Sequence, residues 1–368
     1  MSFLNLDYLS VGSSSYFYNY PDFTPYANPP TNYLGTVLFL LYILLALVLT
    51  GYIPLSLFKR YQSLVNFPLI STTSPPSPRI RDARARHIKI YAGLASVSFA
   101  MLSYHMLNFL MDSYAHWSAS KGSESEMNLE TLKQWMLNSA LFETFARELV
   151  DDGPSTVWMQ VGVLGSWFWG VWMGGKANER SFSKNTMLPY ILLSQILPTS
   201  FTVTLFLVHL HLASPDLAPA PPVSESPVSN SSISEDVSPE KQPLPLHQPH
   251  RKTSLLLPTI LLNAVLLSLA PLRHHRLFTP LVLFTRLLLL LPYTGRISTR
   301  EVEVDRCMMV SGGFLVGNLM VLKKGYGIGD IVGALGRGDF GGSAVKALAW
   351  DAGMGALVGR VVAWGGGV

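Results

Sequence analysis

Four carboxylates crowd one short stretch of this 368-residue chain: Glu143, Glu148, Asp151 and Asp152, directly ahead of a Gly153-Pro154 break. Trp158, Trp167, Trp169 and Trp172 follow in the next apolar run. A fifth carboxylate, Asp351, stands beside Trp350 inside a late apolar segment. A carboxyl group kept protonated in a low-dielectric site can deliver a proton to an alkene or an epoxide. Indole faces can then stabilise the resulting cation, by about 2 kcal/mol or more per ring once desolvated. On this reasoning Glu148 is the leading candidate acid, with Asp152 beside it, and Asp351 is a second acid or a deprotonating base. Trp158, Trp167 and Trp172 are the candidate cation stabilisers and substrate contacts. The plainer reading of the same residues is a solvated helix end followed by an interfacial tryptophan belt. Trp167, Trp169 and Trp172 cannot all face one way on a helix.

Other chemistries lack their residues. Asp151-Asp152 continues as Gly-Pro-Ser, so there is no DDxxD, and neither NxxxSxxxE nor DxDD occurs. A magnesium-diphosphate ionising site, which needs several carboxylates converging on hard cations, is therefore not expected. There is no HExxH and no GxSxG, and the single cysteine, Cys307, excludes an internal disulfide or a CxxC centre. His209 and His211 at i, i+2 point to different sides of a helix and read as interfacial histidines. The glycines of 325–333 do not have the GxGxxG spacing and no βαβ context surrounds them. No metal and no cofactor is expected, and the net charge of +4 sits in loops between apolar spans, which gives no nucleic-acid signature.

The elements that must hold these groups are apolar spans. The chain is 49% hydrophobic and 14% charged, with mean hydropathy +0.29. Several uncharged runs reach the roughly 20 residues needed to cross a hydrocarbon core of about 30 Å. The expected fold is an all-α, polytopic membrane bundle of seven to eight helices. Residues 1–32 read as a lumenal polar tail, with no basic region before an early apolar core and hence no cleaved signal expected. Residues 33–212 hold spans one to four, with a lumenal amphipathic segment at 129–150. Residues 213–252 are a Pro/Ser-rich disordered loop, and 253–365 hold spans five to eight.

Sidedness follows from charge. Lys59, Arg60, Arg79, Arg81, Arg84, Arg86 and Lys89 face one acid, Asp82, in the first loop, which is therefore cytoplasmic. Counting spans onward makes the 213–252 loop lumenal, where the only sequon, Asn230-Ser-Ser, would be glycosylated. The same count makes Arg273-His274-His275-Arg276 a cytoplasmic turn. In span two, His105, Asn108 and Asp112 share one face at i, i+3, i+7, as a seam to a neighbouring helix or as a cavity wall. Span four, about Met187 to Leu212, carries Tyr190, Gln195 and a Pro198 kink. Arg286 inside span six needs a partner. Gly355-xxx-Gly359 in span eight is a close-packing signature.

The run Trp158-Met-Gln160…Trp167…Trp172-Met-Gly-Gly…Arg180…Leu193-Ser-Gln195…Ser200-Phe…Leu205-Phe206, with Ser343-Ala-Val…Trp350-Asp351, resembles a family of fungal integral-membrane proteins of natural-product pathways. That family is similar to the membrane terpene cyclases of ascochlorin- and ascofuranone-type meroterpenoid routes. The resemblance implies acid-initiated cyclisation of a prenylated, often epoxidised substrate, without metal or redox cofactor, in the endoplasmic reticulum membrane. The expected partners are then the lipid bilayer, a lipophilic prenylated small molecule and other enzymes of the pathway. A transporter or exporter of such a metabolite is the rival function, and a non-catalytic membrane protein the third.

Overall fold

A computed structural model describes residues 33–66, 78–120, 128–196, 198–213, 253–322, 325, 327–333 and 342–366. The 1–32 tail, most of the 213–252 loop and Asn230 lie outside them. Among the described residues the fold is all-α, with no sheet and a single isolated bridge between Thr253 and Ile297. Twelve helices follow in order: α1 (Tyr33–Asn66), α2 (Pro78–Ser120), α3 (Leu129–Asn138), α4 (Leu141–Glu148), α5 (Gly153–Glu179), α6 (Lys184–Ile196), α7 (Thr199–Leu212), α8 (Leu256–Leu269), α9 (Phe278–Leu288), α10 (Glu301–Leu322), α11 (Ile328–Gly333) and α12 (Ser343–Val361). Stretches of α1, α2 and α10 (Phe39–Ser63, Arg84–Ser120 and Glu301–Leu322) are long and apolar enough to cross a membrane. Much of their surface is apolar and exposed, as at Leu40, Leu44, Leu47, Tyr104, Leu107 and Met309.

Local chemistry starts several helices. Asn128 and Thr131 form a reciprocal capping box at α3, each side chain bonding the other's backbone N–H. Asp152 accepts from the Ser155 N–H at 2.6 Å to cap α5, with Pro154 in the first turn where its missing N–H costs nothing. The amphipathic expectation for 129–150 resolves into two short helices, α3 and α4, separated by Ser139-Ala140. Trp135 and Leu141 from this pair pack with Phe109 and Tyr114 of α2.

The contacts define two ends of the molecule. At one, Glu148 meets the start of α12, Asp112 meets Ser343, and the Thr36 hydroxyl donates to the Met136 carbonyl. At the other, Arg60 meets His209, and the rings of His87 and Tyr91 lie 5.7 and 5.6 Å from His211. Between them α12 packs against α2, α5 and α7. Gly355 and Gly359 leave room for the Trp169 indole, with Nε1 3.1 Å from where a Cβ at Gly355 would lie. The close-packing signature thus seats a tryptophan of α5.

Two expectations of chain direction are corrected. The segment 187–212 is not one kinked span. Tyr190 Oη lies 2.8 Å from His209 Nδ1, although a continuous helix would place residues 19 apart about 28 Å from each other. Helices α6 and α7 therefore run antiparallel, as a hairpin whose tip contains Pro198 and whose open end is at Arg60. Both Leu212 and Thr253 consequently sit at the Arg60 end, because Thr253 pairs with Ile297 and nearby Thr299 packs on Gly175 near the end of α5. The Arg273–Arg276 turn then falls at the Glu148 end, where Arg273 pairs with Asp151 at 2.8 Å. A hairpin at 187–212 in place of one span changes the parity on which both assignments rest.

This reversal carries a prediction about residue 230. If the basic first loop is cytoplasmic, a segment whose two flanks lie at the Arg60 end stays on that side. Asn230→Gln should leave mobility after endoglycosidase treatment unchanged from wild type. A sequon inserted between Ser120 and Asn128 should acquire a glycan. A glycan on wild-type protein that Asn230→Gln removes would overturn the hairpin.

Candidate functional site

Of the carboxylates singled out by the sequence, Glu143 pairs with Arg147 and Asp151 with Arg273, whereas Glu148, Asp152 and Asp351 are each tied to a helix N-terminus. Such an end leaves N–H donors unpaired and carries partial positive charge, so an acid there is satisfied twice over. Asp351, on α12, accepts from the backbone N–H groups of Thr199 at 3.0 Å and Ser200 at 2.9 Å, the first residues of α7. The Pro198 that precedes them cannot cap with its side chain. Glu148, the last residue of α4, accepts from the Ala344 N–H at 2.9 Å, at the start of α12. Asp152 caps its own helix.

The Glu148 site is tight. A Cβ built on Gly342 would lie 1.7 Å from Glu148 Oε1, so only glycine lets the carboxylate reach this helix end. Burial raises the Glu148 pKa above its ordinary 4.5; the Ala344 bond and Lys346 oppose that shift, while Asp112 and Asp151 reinforce it. Asp112 Oδ2 accepts from Ser343 Oγ at 3.2 Å in the same corner. Glu148 meets α12 at Ala344 and Asp351 stands on the same helix seven residues on, about 10.5 Å along its axis.

Where α2, the α7 start and α12 meet there is a crevice. Its walls include Ser98, Met101, Pro198, Ser200, Trp350 and Asp351. Trp350, exposed, is the aromatic group beside the carboxylate. Its position one residue before an acid in an apolar segment is the sequence signal for it. Ser98 was missed, although it lies seven residues before His105 on the same face.

The predicted tryptophans do not gather here. Trp167 is fully buried on the other side of α5, donating to Thr259 Oγ1 at 3.2 Å. Trp158 donates to the Ile331 carbonyl at 2.8 Å. Trp172 stacks edge-on with Trp169 and Phe206 toward the Arg60 end. Of the predicted seam, His105 is buried, Asn108 partly buried and Asp112 exposed. Gln195 lies in the last turn of α6, and its carbonyl accepts from Arg286 Nη1 at 3.5 Å.

Tyr190 belongs to a second cluster. Arg60 can only donate, so His209 Nε2, 3.3 Å away, is the acceptor. The Nδ1 proton then points at Tyr190 Oη, which fixes a neutral imidazole of one tautomer. His209 and His211 are both buried, at 5% and 4% exposure, because the hairpin folds them against α1 and α2. Among the described residues no three His, Cys, Asp or Glu side chains converge on one point.

Two predictions follow from the Glu148 corner. Glu148→Ala removes the cap and Gly342→Ala displaces it, so each should lower the melting temperature in detergent. A lost charge-assisted bond is worth about 1.5–3 kcal/mol. The double variant should be no worse than the poorer single one, and full additivity would refute the shared cause. The raised Glu148 pKa gives the second. An acid whose folded pKa lies above its unfolded value contributes stability at low pH that is lost as pH rises through the folded value. Thermal stability should therefore decline as pH rises above about 4.5, and Glu148→Gln should flatten that decline. An unchanged profile in Glu148→Gln would show that other groups set it.

The chain matches no protein-family model, no curated protein and no solved structure.

Proposed function

We propose that the chain is a multi-pass membrane protein of the endoplasmic reticulum and a terpene cyclase acting on a lipophilic, prenylated or epoxidised substrate. In this reading α1, α2, α5, α8, α9, α10 and α12 cross the bilayer and the α6–α7 hairpin re-enters it from the Arg60 side. The observation that carries the reading is the pair of carboxyl groups set along one helix. Glu148, biased toward its protonated form by burial, supplies the initiating proton. Asp351, facing two N–H donors and the positive end of α7, offers negative charge to the cation and takes up the terminal proton. Trp350 is the ring placed to stabilise positive charge next to it. The role first assigned to Trp158, Trp167 and Trp172 passes to packing.

One observation favours a second reading. Broken helices whose half-helix N-termini meet an anion at mid-membrane are a construction of secondary transporters. Here Asp351 occupies such an N-terminus at the tip of the hairpin. A transporter would move the metabolite across sealed microsomes without changing it, whereas a cyclase changes the compound.

The test is conversion of an epoxidised prenyl-aromatic compound by microsomes, with protein level checked by immunoblot. Glu148→Gln should cut turnover by about 10²–10⁴-fold, the usual contribution of a general acid. Asp351→Asn, which keeps one acceptor for the α7 donors, should change the product distribution more than the expression level. Normal turnover in both variants would remove the cyclase assignment.

A further inference from the structure

Arg286 is the only charged residue of the apolar stretch Phe278–Thr294. It stands at the midpoint, about 12 Å from either end at helical rise. Its side chain is exposed, and so are its neighbours Leu283, Phe284 and Leu287. With α9 crossing the bilayer, as in the reading above, this guanidinium stands at mid-depth on an apolar surface. A guanidinium keeps its charge wherever it is placed, and an ionised group at that depth marks a site for a partner.

The protein gives it little. Its one hydrogen bond runs to the Gln195 carbonyl at 3.5 Å, a long contact, and no carboxylate among the described residues pairs with it. Most of its N–H donors are left over. Closing the end of α6 does not account for them, because Tyr42 of α1 already donates its hydroxyl to the next carbonyl, that of Ile196. Tyr42 and Arg286 are close enough to interact electrostatically. Gln195 itself carries a half-buried amide side chain that has no hydrogen-bond partner among the described residues.

We propose that Arg286, at the tip of the hairpin, binds the carboxylate head of a lipophilic acid that arrives through the bilayer, and that the substrate is such an acid. The second part rests on the cyclase reading; the first needs only that α9 crosses the membrane. The planar guanidinium matches a carboxylate through two parallel N–H···O bonds. One negative charge makes the pair neutral, whereas a phosphate brings more charge to the same depth. A phospholipid also keeps its phosphate in the headgroup layer, about 15 Å from the midplane of a core about 30 Å thick. The site needs no enclosed cavity, since the exposed Leu283, Phe284 and Leu287 offer an apolar tail a surface to lie on. Across the tip, Thr199 donates to Asp351, and Gln195 and Thr199 are at most about 15 Å apart along the chain. Head group and Asp351 are thus separated by a distance of the order of a prenyl chain.

Binding tests the site without any turnover. Full-length protein in maltoside micelles at about pH 9, well above the carboxylate range, is given tritiated geranylgeranoate in a scintillation-proximity assay. Unlabelled geranylgeranoate should displace the label about tenfold or more better than geranylgeraniol, which has the same tail and no charge. Arg286→Gln should lose that preference while still binding the tritiated alcohol. Arg286→Lys, a point charge without the planar fork, should keep part of it.

Equal displacement by acid and alcohol on wild type would sink the proposal, as would an acid preference that survives Arg286→Gln. Loss of both ligands in Arg286→Gln, with no preference in Arg286→Lys, counts against it too. Displacement by dioleoyl phosphatidic acid as strong as that by the prenyl acid would assign the site to membrane lipid instead. Wild-type protein that converts no epoxide but binds in the expected pattern would count against the cyclase reading alone. Conversion without the pattern would count against the Arg286 site alone.

Discussion

A helix that begins inside an apolar layer has N–H groups that neither water nor the preceding turn can satisfy. Each one left unpaired there costs several kcal/mol. The architecture answers this constraint with acids delivered from elsewhere in the chain. Asp351 reaches from α12 to α7, and Glu148 from α4 to α12, so the three elements form a relay of caps that fixes their mutual height. Asp152 does the same locally for α5. The proline at position 198 makes the long-range arrangement necessary, since its own side chain offers α7 nothing. Chemistry and architecture thus draw on the same carboxyl groups, and a variant that removes one must be read for both.

The parts of the fold written in local sequence were legible. Composition and run length indicate an all-helical chain with long apolar helices. Asp152-Gly-Pro is a start signal that the structure uses as such, and Gly355-xxx-Gly359 marks a close approach. Pro198 marks a break correctly but says nothing about the direction of the chain beyond it. That direction is set by Asp351, Arg60 and His87, none of them within 100 residues of Pro198 in sequence, so a window along the chain reads kink where the fold has reversal. Because sidedness is counted by parity, a reversal at this point also bears on the sequon loop and the Arg273–Arg276 turn.

The site was half legible for a similar reason. An acid within an apolar run is conspicuous, and Glu148 and Asp351 were found that way. Tryptophan spacing, by contrast, does not tell which indole faces a crevice. Trp167 turns toward Thr259 and Trp158 toward the Ile331 carbonyl because those partners lie on α8 and α11, invisible from α5 alone. The polar face of α2 was visible through His105 and Asp112, but Ser98 completes it only once α12 shows which face matters. The Arg60–His209–Tyr190 chain was not anticipated at all, since a histidine near a span end has an ordinary interfacial explanation.

The separation between Asp351 and the helix it caps has a consequence for biosynthesis. The Thr199 N–H and the carboxylate that accepts from it are 152 residues apart. At about 5–20 residues per second, the ribosome delivers Asp351 roughly 8–30 s after α7 has emerged. Throughout that interval the start of α7 lacks its native partner. The hairpin must therefore wait, shielded by a chaperone or held at the interface, and its final seating is an event of late assembly. The last helix made is the one that closes the fold.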